Sequence, residues 1–282
     1  MGDLGKLTIA GCQYLTDASG NHVFHVTTPH ALMQAVGYLK HTAEPWERIY
    51  MRGQARLYDA LAPTLYRGIT NPMTQGRRHA SLAKVIGDFE KASKLFAAVP
   101  DYAKEPLLQH YGIQTSWLDI VDNVWVALWF ALHRAYVSGH EQQYLHFDAR
   151  DTLQDGEFGY IILIRTEDSR REKVRKGIAK GDQTEVIDLR IAAPSVFLRP
   201  HAQHGLLFRV RGTEGGRSTD YVSAIAGIVR FPLEAGQDWL GVGSMHDVRS
   251  LFPPPYFDNG YQILLGIEFS DHSLGVITHI GA

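Results

Sequence analysis

The sequence predicts an α+β fold, with helices dominating the first half of the chain and strands the second. Three observations point there. Before about residue 132, apolar residues recur at helical spacing behind good capping residues. After residue 158, runs of β-branched and aromatic residues take over. The two patterns do not alternate as strand–helix–strand units would, which argues against a doubly wound sheet.

Taken in order, residues 7–10 and 22–26 are short β-like runs separated by Thr16, Asp17, Ala18, Ser19, Gly20 and Asn21, a turn-forming stretch, so the chain opens on a hairpin. Thr28 followed by Pro29 reads as a cap and first helical residue, opening a helix to about residue 40. Residues 48–52 read as a strand ended by Gly53. Leu82, Val85, Ile86, Phe89 and Phe96 fall at helical spacing, which predicts one long amphipathic helix over 76–98, closed by Pro100. A further helix spans 102–111, with Gly112 as its stop. Val124, Trp125, Ala127, Leu128, Phe130, Ala131 and Leu132 leave almost no polar face, so this segment reads as a helix buried on most sides. Strands follow at 158–165, 184–189, 205–211 and 224–230. No repeat, low-complexity tract or long linker divides the chain, and the expected organisation is an N-terminal hairpin and helix (1–45) packed as an extension on one domain (46–282).

Composition narrows the function classes. The 282 residues are 45% hydrophobic and 21% charged, ordinary for a folded protein. A net charge of -2 argues against a chain-wide electrostatic grip on nucleic acid and leaves room for a local patch. The single Cys12 excludes an intramolecular disulfide framework or a multi-thiolate zinc site and fits a reducing compartment. The first residues lack the pattern of a secretory signal. No run reaches the roughly 18 to 20 apolar residues that span a bilayer. The expectation is a cytoplasmic protein without a membrane partner.

The candidate chemistry gathers in three places. Tyr50, Met51, Arg52, Gly53 and Gln54 put an arginine at a strand end, where its planar fork can meet a phosphate or pair with a carboxylate to fix a loop. Tyr66, Arg67 and Gly68 are a weaker copy, read as a structural turn. The second place is Gln109, His110, Tyr111, Gln114, Thr115, Ser116 and Asp119, just ahead of the buried helix. Polar groups carried into an interior cost free energy unless each finds a partner. This cluster is therefore either an internal hydrogen-bond hub or a ligand pocket, with His110 as acid, base or donor. The third is Arg199 to Phe208, where Gln203 can hydrogen-bond a ribose or base, or satisfy backbone groups. His201 and His204 lack a third ligand at a recognisable spacing, and 14 histidines make such pairs common by chance, so no metal is expected. The basic stretch 170–176 reads first as a solvated surface and second as a polyanion contact. The glycine-rich stretch 212–217 lacks the context of a phosphate loop and reads as a connection.

Met51, Arg52, Gly53 and Gln54, then residues 62–67, then Gln109 to Thr115 with Leu118 and Asp119, then residues 127–131, together resemble the FRG domain, named for its Phe/Tyr-Arg-Gly motif. Met51 stands at the aromatic position, with Tyr50 before it. Arg199 to Phe208 and Leu251, Phe252 and Pro253 are similar to later patterns of the family, so the resemblance covers about residues 49–259. FRG domains are widespread in bacteria and phages and have mostly been treated as domains of unknown function.

The same order of motifs is more distantly similar to ADP-ribosyltransferases, which implies a split sheet and NAD as substrate. Under that resemblance Arg52 would contact the dinucleotide phosphates and Thr115 or Ser116 would support the nicotinamide-ribose pocket. Gln203 stands where the family has a glutamate. The catalytic set implied is Arg52, Ser116 and Gln203, with Arg52, Gln54, Gln109, His110, Tyr111, Thr115 and Asp119 around the NAD. A neutral amide stabilises an oxocarbenium ion far less than a carboxylate does. Either the chain is a weak or inactive relative, or Asp119, Glu214 or Glu268 supplies the charge. The resemblance further implies a toxin or phage-defence role with a protein or nucleic-acid acceptor. The alternatives are a non-catalytic nucleotide- or nucleic-acid-binding module using Arg52 and the basic stretch, and a structural domain in which Gln109, His110 and Asp119 form an internal network.

Overall fold

A computed structural model of the chain describes residues 8–17, 20–139, 143–168, 170–171, 175–212, 219–241, 243 and 246–281. Strands β1 (Cys12–Thr16) and β2 (His22–Val26) pair as an antiparallel hairpin. The first strand thus starts later than predicted. Residue 7 lies outside the described residues, and Cys12 N donates to Ile9 O (3.0 Å) in a turn that ends any extended run before β1. Helix α1 (Pro29–Thr42) starts where Thr28 Oγ1 accepts from Ala31 N at 3.1 Å. Strand β3 (Glu47–Gln54) runs through Gly53 instead of ending there. The predicted long helix is two, α2 (Pro72–Ala92) and α3 (Lys94–Ala97). Ser93, extended at φ -134° and ψ 117°, breaks it and caps α3 through its hydroxyl (Phe96 N, 3.2 Å).

Helix α4 (Asp101–His110), strand β4 (Leu118–Val121) and helix α5 (Val124–Leu132) follow. Strands β5 (His133–Ser138) and β6 (Tyr144–Ala149), absent from the sequence reading, form a small sheet. The chain continues through α6 (Thr152–Asp155), β7 (Phe158–Glu167), β8 (Arg170–Arg171), β9 (Ile178–Lys180), β10 (Thr184–Asp188), α7 (Leu189–Ala192) and α8 (Arg199–Ala202). It ends with β11 (Gly205–Val210), β12 (Ile225–Pro232), α9 (Leu233–Leu240), α10 (Val248–Leu251), α11 (Asn259–Leu265) and β13 (His279–Ile280), which joins β6 in parallel. The glycine-rich stretch at 213–217 and residues 172–174 of the basic stretch lie outside the described residues.

Among the described residues the large sheet has ten strands in the order β1-β2-β12-β7-β3-β4-β11-β10-β9-β8, antiparallel except where β12 meets β2. The α+β class is as the sequence predicts. Its division into a helical and a stranded half is not a spatial one. Strands β3 and β4, from the first half, sit at the centre of the sheet, and the N-terminal hairpin is continuous with its edge. Among the described residues no helix is long and apolar enough to cross a membrane.

Alternation along the strands sorts the core onto two faces. Ile161 and Leu163 of β7 pack with Met51 beneath α1 and α5, while Ile162 and Ile164 face the opposite side with Ile120 and Phe208. On the helical face, α1, α5 and α9 cover one end of the sheet, and α2, α4, α7 and α11 cover the other. Between those groups β3 and β4 are joined by a single register pair, Met51 opposite Val121. Two half-sheets with separate helical covers meet at that seam.

Candidate functional site

A cavity of about 430 Å³ opens at the seam, lined from β3 by Arg52 and Gly53, from α4 by Gln109 and His110, and from β4 by Asp119. Arg199, Gln203 and Gly205 close one side, and Phe130, Phe147 and Phe252 supply apolar wall. Helix α5 is the scaffold. Asn123 Oδ1 accepts from Trp125 N (2.9 Å) and Val126 N (3.4 Å), starting a helix whose buried residues include Val126, Ala127, Leu128 and Trp129. Gly53 lets β3 lie directly on it. A side chain at residue 53 would overlap Ala127 O, with Ala131 N 2.8 Å away. The Arg-Gly pair therefore joins two needs, an arginine at the cavity and a residue without Cβ against the helix backbone.

The polar wall is ordered from behind. Thr115 Oγ1, fully buried, donates to Gln109 Oε1 and accepts from Trp117 N at 3.2 Å. That fixes the Gln109 amide, whose Nε2 donates to Asp119 Oδ2 at 2.7 Å. Arg52 Nη1 donates to Asp119 O (2.8 Å) and stands 3.8 Å from the carboxylate, which is still 46% exposed. Burial lowers the Arg52 pKa and the Asp119 charge opposes that shift, but a guanidinium stays charged in proteins.

His110 is oriented by a chain of assigned partners. Gln203 Nε2 donates to Leu251 O at 2.9 Å, which turns Oε1 toward His110 Nδ1 at 3.1 Å. An amide oxygen only accepts, so Nδ1 carries the proton and a neutral ring keeps its lone pair on Nε2. Burial holds the imidazole pKa below its ordinary value, against the pull of Asp119, whose Oδ1 lies 4.0 Å from Nε2. The Nε2 atom is buried and has no hydrogen-bond partner among the described residues. Gly205 makes room for the ring, since a Cβ there would overlap His110 Cε1 and lie 2.7 Å from Nε2. The arrangement offers a neutral proton acceptor beside a partly exposed carboxylate.

Of the residues singled out from sequence, the structure brings Arg52, Gln109, His110, Asp119 and Gln203 together around the cavity, with Thr115 behind them. It directs three elsewhere. Ser116 gives both its backbone N–H (2.8 Å) and its hydroxyl (2.7 Å) to Glu105. Tyr111 is fully buried and donates to Asp258 at 2.8 Å, and burial, then the Asp258 charge, pushes its pKa well up. Gln54 lines a separate groove with Tyr58 and Asp59. Of the other acids, Glu268 borders a distant groove beside Lys91, and Glu214 lies outside the described residues. His204 takes φ 51° and lies 3.3 Å from Asp122, while His201 Nε2 is buried without a hydrogen-bond partner among the described residues. Among the described residues no group of three or more metal-binding side chains comes together.

Arg199, which opens the third polar cluster without an expected role of its own, lines the cavity, and so do three phenylalanines outside the expected site. Arg199 precedes Gln203 by four positions, a helical spacing that puts both on one side of α8 and its last turn. That signal was legible. Phe130, Phe147 and Phe252 come from three separate elements and carry no local signal.

Comparison with curated proteins and with solved structures returns no significant match. The family to which this chain shows similarity is the FRG domain, whose family model matches residues 47–139, from β3 through β5.

Proposed function

We propose that the seam cavity binds a nucleotide, with NAD the first candidate, and supports transfer of ADP-ribose to a macromolecular acceptor, protein or nucleic acid. The observation that carries this reading is that buried polar atoms on the cavity wall, Arg52 Nε and His110 Nε2, have no hydrogen-bond partner among the described residues. An internal hub would satisfy such groups, whereas a ligand site keeps them for the ligand. The phenylalanine rings at the same cavity suit a planar base or nicotinamide.

In this reading the bond between nicotinamide and the ribose C1′ breaks heterolytically, and nicotinamide leaves neutral with the electron pair. The oxocarbenium ion left behind is stabilised by the Asp119 carboxylate, held by Gln109 and Arg52. The acceptor nucleophile bonds C1′ and gives its proton to His110 Nε2. Gln203 positions His110 instead of touching the ribose, because both ends of its amide are already used. A toxin or phage-defence role belongs to the same reading.

The test is release of nicotinamide from NAD in the presence of cell lysate. Wild type should release it, and Asp119→Asn should lower the rate by about 10² to 10³, the range for removing one preorganised electrostatic group. NAD binding without any release would leave the non-catalytic nucleotide-binding module.

A further inference from the structure

Among the described residues two arginines, Arg150 and Arg199, are almost completely buried, and they are placed differently. Arg150 gives both terminal nitrogens to main-chain carbonyls, with Nη1 on Ala131 O (2.8 Å) and Nη2 on Phe158 O (3.1 Å), which leaves only its Nε without a partner among the described residues. It is a strut, and it does not line the cavity. Arg199, 1% exposed, does line it. Its Nη1 donates to His110 O at 2.6 Å, but Nε and Nη2 have no hydrogen-bond partner among the described residues. Those two atoms form one edge of the guanidinium, the edge that takes an oxyanion with two parallel hydrogen bonds.

The surroundings hold this cation through aromatic rings and the Tyr261 hydroxyl, whose pKa it pulls down against burial, and among the described residues no carboxylate forms an ion pair with it. Its Cζ lies 4.5 Å from the ring centres of both Tyr111 and Tyr261 and 5.4 Å from that of Phe252. Asp258 is committed elsewhere. Its Oδ2 accepts from Tyr111 OH (2.8 Å) and the Arg199 backbone N–H (3.0 Å), and its Oδ1 from Tyr261 N (2.9 Å). Arg52, by contrast, already has Asp119. A buried charge with no carboxylate in ion-pair contact is costly to keep, and an aromatic cage returns part of that cost. A bound anion would return more.

We infer that Arg199 is the oxyanion anchor of the cavity, and that the ligand presents a phosphoryl or carboxylate group to its Nε–Nη2 edge. The inference rests on the reading of the cavity as a ligand site and sharpens it: Arg199, not Arg52, takes the anionic group.

The test is calorimetric titration of NAD, inorganic pyrophosphate and nicotinate into wild type, Arg199→Met, Arg199→Lys and Arg52→Met, with folding of each checked by its melting curve. The expected result is competition between pyrophosphate and NAD in wild type and at least a tenfold loss of affinity for both in Arg199→Met. Arg199→Lys should recover part of it, and Arg52→Met should lose less. Pyrophosphate binding that depends on Arg199 without NAD binding would support the anchor and sink the NAD reading. Nicotinate binding alone, dependent on Arg199, would support it with a carboxylate as the anion. NAD affinity unchanged in Arg199→Met, or no anion binding to wild type, would overturn it. Should Arg199→Met fail to fold, wild-type crystals soaked in pyrophosphate decide: density at the Nε–Nη2 edge supports the anchor, and density only elsewhere refutes it.

Discussion

Helix α5 and the end of helix α4 lie within one short stretch of chain, yet they solve opposite problems. Helix α5 buries Val126, Ala127, Leu128 and Trp129, is capped by Asn123, and presses its backbone onto Gly53. The end of α4 carries Gln109 and His110 into the interior and leaves His110 Nε2 without a partner among the described residues. The first is built to be stable. The second gives up polar satisfaction at a cavity, as sites shaped for a ligand do. Substitutions in the two regions should therefore separate stability from binding.

The largest effect is expected at the scaffold. Leu128→Ala empties a fully buried position and should cost about 2–5 kcal/mol in urea unfolding, with NAD affinity of the folded protein little changed. Gly53→Ala comes next, about 1–3 kcal/mol, because its Cβ meets helix backbone that cannot rotate away. A Gly53→Ala protein as stable as wild type would show that β3 does not rest on α5 as described. Gly205→Ala sharpens the comparison from the other side. Its Cβ meets a side chain, so the imidazole swings, stability falls by a smaller amount than at Gly53, and NAD binding falls with it.

The smallest effect is on pH dependence. Burial depresses the His110 pKa in the folded state, so below about pH 6.5 the unfolded chain takes up more protons. Stability should be full above that value and decline as pH falls toward the folded pKa. His133, also depressed by burial, acts in the same direction. His110→Gln should thus flatten the urea-midpoint profile between pH 7.5 and 5.5 without levelling it. An unchanged slope would mean that His110 is not buried neutral.

What the sequence made legible was local. Thr28 with Pro29 and the apolar run after Asn123 mark their helices because caps and periodicity act within a few residues. The Arg52 and His110 clusters stood out because polar residues beside an apolar run need a reason. Strand β5 did not stand out, since it is mostly exposed, has no apolar alternation, and is fixed by pairing with β6. The bond from Ser116 to Glu105 is hidden for a similar reason: its partner lies on the helix before it, and nothing in the spacing announces that bond. The place of Arg199 beside Gln203 is legible in their spacing, whereas its aromatic surroundings come from residues far apart in the chain.

The central claim is that the polar wall at the seam faces a ligand and is not an internal network. Calorimetric titration of NAD into wild type and Asp119→Asn tests it most directly. The account predicts saturable binding at one site per chain in wild type, weakened or altered in heat by Asp119→Asn. No saturable heat with wild type, together with loss of stability in Asp119→Asn, would identify the cluster as a structural hub and contradict the account.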